Sequence, residues 1–374
     1  MLLVLLAIPS VMPVYGQDST KAGKPREAKT KPKGPKLRSP PSGPEAIEGK
    51  REAEALPLFA SNDVLPFTLI ANFKQLFRER DTLSTKRFSA RLIVRSAAGR
   101  TDTVPVQLRT RGHYRLAKCS FAPIRVEFER KSTRGTVFEG QKSLKLGTHC
   151  AGGDLSEQYV VREYAAYRVH SIVAPLAFRA RLARATYADS ATGKDIDTKY
   201  AMFVENEDHV AARVQGAVQE LRGATFDDLD ANDLLSQTLF EYMIGNTDWS
   251  IYALHNIRLV QTVDGAFHPV PYDFDFSGLV GTRYAIPDPK LPIKTVRDRL
   301  FRGPCRSFDA WGPTLARFKE SKARVLAVYD SLPALDKSYA RDARDYLADF
   351  FRTIERPSDA KAAIVDTCSD KGAA

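Results

Sequence analysis

After residue 56 the first part of the chain is patterned in twos. Apolar and polar residues roughly alternate over 67–71, 87–95, 104–109, 124–129 and 143–146. That period predicts strands with one face turned to a core. Over 156–169 the spacing lengthens, with Tyr159, Ala166 and Tyr167 on one helical face and Ser156 placed to cap it. Strands are expected again at 181–187 and 200–204. From 230 onward helical spacing dominates: Leu234, Leu235, Leu239, Tyr242 and Met243 mark the inner face of a helix over 230–244. Two short strands, 256–260 and 267–272, flank a turn at Val263-Asp264-Gly265, and amphipathic helices are expected over 308–318 and 323–354. A strand-rich part followed by a helix-rich part predicts the α+β class.

The N-terminus follows another rule. An apolar run from Leu2 continues to Tyr15 and ends with Val14 and Gly16 before polar sequence, the pattern of a signal peptide over 1–16. The run is shorter than the ~20 residues of a membrane-spanning helix, and no later segment is long and apolar enough. The expectation is a secreted, periplasmic or envelope protein with no transmembrane segment after signal cleavage.

Charge changes the picture only once it is located. Of the net +11, eight basic against two acidic residues over 18–38 contribute +6, in a stretch broken by Pro25, Pro32 and Pro35. With few large apolar side chains it cannot offset its ordering entropy. It reads as a disordered basic Pro-rich linker over 17–55, suited to weak contact with an anionic envelope and not to a specific nucleic acid. The rest divides into a strand-rich part over 56–206, a helix-rich part over 207–365 and a tail over 366–374. Cys119, Cys150, Cys305 and Cys368 form an even set without a C-x-x-C pair, which in an exported chain points to disulfides. Three connectivities exist; pairing of sequence neighbours, Cys119 with Cys150 and Cys305 with Cys368, is the favoured one.

The densest chemistry lies in Gly245-Asn246-Thr247-Asp248-Trp249, in His255-Asn256, and in Pro271-Tyr272-Asp273-Phe274-Asp275-Phe276-Ser277-Gly278. Carboxylates set among aromatics are costly to bury without a cation or donor. Asp273 and Asp275, two apart, share one face of an extended chain. With Asn256 they supply the oxygen ligands that Mg²⁺ or Mn²⁺ prefers, and Asp248 is a carboxylate able to orient an attacking hydroxyl. Taken singly, each Asp is better explained as a helix cap or turn residue; taken as an ordered group, they favour the chemical reading. The six histidines offer no pair at zinc-ligand spacing and there is no G-x-S-x-G elbow. Trp249 and the aromatics near the acids read as packing.

Those segments resemble the metal- and ATP-binding segments of the CotH-like family of atypical protein kinases, which phosphorylate spore-coat or secreted proteins. The resemblance implies a bilobal atypical protein-kinase-like fold, with a strand-rich N-lobe and a helix-rich C-lobe. It assigns Asp248 to the catalytic loop and Asn256, Asp273 and Asp275 to the metal. It places Lys145 on the nucleotide phosphates with Glu163 as its partner, Glu205 and Asn206 at an adenine-contacting hinge, and Arg111 in an early Arg-Gly turn facing phosphate. ATP with Mg²⁺ or Mn²⁺ is the implied cofactor set, and Ser or Thr of a secreted or envelope protein the implied substrate. The chain departs from kinases generally in lacking a G-x-G-x-x-G loop before Lys145 and in the eight-residue step from Asp248 to Asn256. Two other classes share these residues: a non-catalytic pseudokinase-like envelope binding or structural protein, and a metal-dependent phosphoesterase.

Overall fold

The structure is a computed structural model and describes residues 37–95 and 99–369. The signal peptide over 1–16 and the first part of the linker lie outside the described residues. Gly43–Glu54, inside the stretch read as linker, is a helix (α1) with Ala46 and Ala53 buried.

Seven strands follow in the strand-rich part: β1 (Leu65–Ala71), β2 (Phe88–Arg95), β3 (Thr101–Thr110), β4 (Ile124–Phe128), β5 (Ser143–Gly147), β6 (Ala180–Asp189) and β7 (Asp195–Val204). Short helices α2 (Phe73–Leu76) and α3 (Tyr114–Lys118) interrupt them, and α4 (Asp154–Val173) joins β5 to β6. Burial alternates residue by residue along β1 and β3, as the period-two pattern requires. The inward set, including Leu69, Leu92, Val104, Leu108, Leu144, Tyr187 and Phe203, forms one apolar core.

This sheet corrects the expected architecture. β1 pairs antiparallel with β2, and its other edge pairs parallel with β6 from Leu65 opposite Ala183 to Ala71 opposite Asp189. The order β1-β2-β3-β4-β5-β7-β6 therefore closes into a barrel. A closed barrel is not the strand-rich lobe of a bilobal kinase fold, so the chain does not have the expected bilobal architecture. The helical part is not a separate lobe either. One core runs from Leu182 and Met202 on the barrel, through Val161, Val169 and Val173 of α4, into the later helices. Glu157 of α4 latches onto the barrel, accepting from the Tyr200 amide at 2.7 Å and pairing with Arg184.

Beyond the barrel come α5 (Glu207–Arg213), β8 (Ala217–Gln219), α6 (Ala231–Ile244), β9 (Ile257–Gln261) and β10 (Phe267–Pro271). β8, β9 and β10 make a small antiparallel sheet. The chain ends in α7 (Gly312–Asp330), α8 (Lys337–Glu355) and α9 (Pro357–Ile364), with Phe318, Leu347, Phe350 and Phe351 in the shared core. Both sequence-neighbour disulfides are formed, Cys119–Cys150 and Cys305–Cys368. Among the described residues no helix is long and apolar enough to cross a membrane.

Candidate active site

Three chain segments far apart in sequence meet outside β5. Lys145 projects from β5, Glu163 and Tyr167 from α4, and Tyr272 and Asp273 from the loop after β10. With Arg111 and Arg115 they line one narrow cleft whose free volume is only about 10 Å³. A roomier cleft lined by Asp63, Tyr164, Arg168 and Leu332 holds none of the candidate residues.

The cleft is electrostatically crowded. The Lys145 side chain is 11% exposed, and its amine has no hydrogen-bond partner. Its nearest carboxylate is Glu207 at 3.9 Å, and the Tyr272 ring centroid is also 3.9 Å away. Burial first, then repulsion from Arg111, push the amine down to about 7. Glu207 accepts from Arg258 at 2.9 Å, so Lys145 has only a share of that charge.

The expected Lys145–Glu163 pair is not made. Arg115 stands in the acid layer instead, 3.9 Å from Glu163 and 3.7 Å from Asp275. Its position follows from α3, a five-residue helix held from behind by Arg80, which donates to the carbonyls of Leu116 and Cys119. Burial and the Asp275 charge raise the Glu163 carboxyl well above the usual range. Burial and Asp273 raise Asp275 to about 6, against Arg115 and a 2.9 Å hydrogen bond from the Tyr284 hydroxyl.

The two acid loops are stitched together where glycine is needed. Gly245 ends α6 in the left-handed region at φ +65°, and its carbonyl accepts from the Gly278 amide at 3.0 Å. A Cβ on Gly278 would come within 2.3 Å of the Val296 carbonyl oxygen. Asp248 follows on one side of this stitch, its Oδ1 2.9 Å from His255 Nε2 and its Oδ2 accepting from Asn256 Nδ2 at 3.0 Å. The Asp248–His255 hydrogen bond raises the His255 imidazole. On the other side Asp273 sits at φ +68° and Asn256 at φ +52°, a region open to Asp and Asn at some cost. The Asp273 amide is fixed by donation to the Tyr167 hydroxyl at 2.9 Å.

The donor set suits a hard divalent cation in part. The Asp273 carboxylate accepts no hydrogen bond among the described residues, and Asn256 donates through Nδ2, which leaves Oδ1 to ligate. Asp275 is committed to Arg115 and Tyr284. Asp273 and Asn256 would therefore be the main protein ligands, with substrate oxygens and water completing the shell, as is usual for Mg²⁺. The described residues gather three acid or histidine ligand atoms within 4.8 Å of one another at Asp230, Asp233 and His268. That cluster is accounted for structurally: Asp230 caps α6 by accepting from the Asp233 amide, and Asp233 pairs with His268 at 2.7 Å.

Two expected residues are placed away from ligand chemistry. Glu205 is fully buried and gripped by Arg179 at 2.6 Å and Arg213 at 3.1 Å. Asn206 caps α5 through the Asp208 amide and donates to the Ser143 carbonyl at 3.1 Å. Neither side chain is left to contact a base. The sequence did not single out Tyr167, Glu207 and Tyr284 for the site; Tyr167 shares α4 with Glu163 and Glu207 directly follows Asn206, but no spacing rule ties them to the acids. No family model matches the chain, and no curated protein matches it.

Proposed function

We propose that the protein is an exported, metal-dependent phosphotransferase, moving a phosphoryl group from ATP to a Ser or Thr hydroxyl of a secreted or envelope protein. The reading rests on the residues and on their likeness to CotH-like kinase motifs, and it owes nothing to a kinase-like fold. The observation that carries it is the convergence in one cleft of Lys145, Arg111 and Asp273, from segments up to 162 residues apart. Phosphate oxygens would meet Lys145 and the Arg111 guanidinium, which has no hydrogen-bond or ion-pair partner among the described residues. Mg²⁺ or Mn²⁺ held by Asp273 and Asn256 would supply neutralisation of phosphate charge. Asp248, oriented by Asn256 and His255, would accept the proton of the attacking hydroxyl. The two disulfides suit an oxidising compartment.

A non-catalytic binding protein is the second reading, favoured by the Arg115 wedge between Glu163 and Asp275 and by the saturation of Glu205. Purified protein incubated with labelled ATP and Mg²⁺ or Mn²⁺, beside Asp273→Ala, separates the two. Label on protein from the parent alone supports transfer. An ATP-dependent thermal shift without label favours binding, and neither signal ends the proposal.

A further inference from the structure

Behind the Asp248 loop lies a carboxyl that the reaction does not use. Glu241 is on the last turn of α6 and 2% exposed. Its Oε2 accepts from Asn246 Nδ2 at 2.8 Å, and its Oε1 is buried without a partner. Its backbone carbonyl accepts the Asn246 amide at 2.9 Å, while Gly245 donates back to Tyr242, which together form a Schellman stop. Asn246 is thus held twice by one residue.

Asn246 in turn organises the loop. Its Oδ1 accepts the Asp248 amide at 3.1 Å, and its carbonyl accepts the Trp249 indole N–H at 3.2 Å. Opposite, Arg302 donates through Nη1 to the Thr247 and Trp249 carbonyls at 2.6 and 2.9 Å. We propose that Glu241 is a pH-sensitive positioning residue, a buried neutral carboxyl that sets the Asp248 loop through Asn246 and disturbs it on ionising. An uncharged carboxyl fits a dry position with one oxygen unpaired, where an anion would lack compensation. Two charged groups face it. Asp248 opposes its ionisation and Arg302 favours it, and burial, the largest influence, pushes the carboxyl up to about 8. Once ionised, Glu241 repels Asp248 and competes with the loop carbonyls for Arg302. The positioning stands on this geometry alone; its effect on catalysis rests on the phosphotransfer reading.

The test uses the full protein with E241Q and E241A. Trp249 reports on the loop, and subtracting E241Q spectra cancels the contribution of Trp311, the other of the chain's two tryptophans. The parent should change its tryptophan emission as pH rises through the region of 8, and E241Q should not. E241A should shift emission at neutral pH and speed amide exchange at Asp248. If transfer occurs, it should also lower kcat roughly 10- to 100-fold with little change in KM, since small misplacements act on the chemical step. Equal pH dependence in parent and E241Q would overturn the ionisation, and parent-like emission and exchange in E241A would overturn the positioning. A parent that transfers no phosphate would remove the proposed reaction while emission and exchange still decide the role of Glu241.

Discussion

Lys145 carries the sharpest consequence at the scale of single residues. Its amine is buried, unbonded and pushed down to about 7, whereas an unfolded lysine titrates near ~10.4. Between those values the unfolded chain binds more protons than the native one, so stability should rise with pH from about 7 toward ~10. As pH falls through the folded value the contribution is lost and the dependence flattens. Lys145→Met should abolish that rise and leave the neutral-pH protein equally stable or up to ~2 kcal/mol more stable, because no buried amine must be ionised or left unpaired. Urea unfolding of both proteins at several pH values checks it; a parallel rise in the variant would refute the assignment. Lys145, Asp248, Asn256 and Asp273 were legible in the sequence through their order and the resemblance of their segments, and Asp273 also as a carboxylate set between Tyr272 and Phe274. Their partners were not. The Glu163–Arg115 contact spans β4, β5 and the first half of α4, and no spacing rule connects them.

Elements were more legible than contacts. The alternation over 87–95 becomes β2, and the apolar face over 230–244 becomes α6 with Asp230 as its cap. Where a cap was expected at Ser156, α4 begins earlier, after Gly153, and the Ser156 hydroxyl instead accepts from the Cys150 and Ala151 amides at 2.9 Å. That contact belongs to a larger device. Cys119 closes α3 and Cys150 follows β5, so their disulfide ties the helix carrying Arg115 to the strand carrying Lys145. A five-residue helix without a side-chain cap has little stability of its own. Cys119→Ser with Cys150→Ser should cost about 2–4 kcal/mol and open the 111–120 segment to trypsin. Cys305→Ser with Cys368→Ser should cost a similar amount and leave that segment protected, since its bridge lies at the far end of the chain. Equal digestion of the two variants would show that Arg80 and packing alone hold α3.

At the scale of the molecule, barrel closure was the feature least readable from sequence. Pairing of β1 with β6 brings together residues 118 apart, Leu65 and Ala183 among them, and hydrophobic alternation is the same in an open sheet and a closed one. The junction read as a ligand hinge has a different physical duty. Glu205 ends the barrel where the chain leaves β7 for α5, and Arg179, which grips it, also donates to the Ala53 carbonyl at the end of α1. One buried carboxylate therefore joins barrel, α1 and α5 through Arg179 and Arg213. Removing one partner of such a cluster leaves buried charge uncompensated, which typically costs about 3–5 kcal/mol. Glu205→Ala should lower the denaturant midpoint accordingly. If the proposed ATP binding is observed, then at a temperature where the variant stays folded its affinity for ATP with Mg²⁺ should match the parent's within about twofold, because an interaction that spans no bound ligand contributes equally to free and bound protein. Calorimetric titration at that temperature distinguishes the two roles. A large loss of affinity with stability intact would return Glu205 to the ligand site; lost stability with affinity retained would fix it as the bolt between barrel and helices.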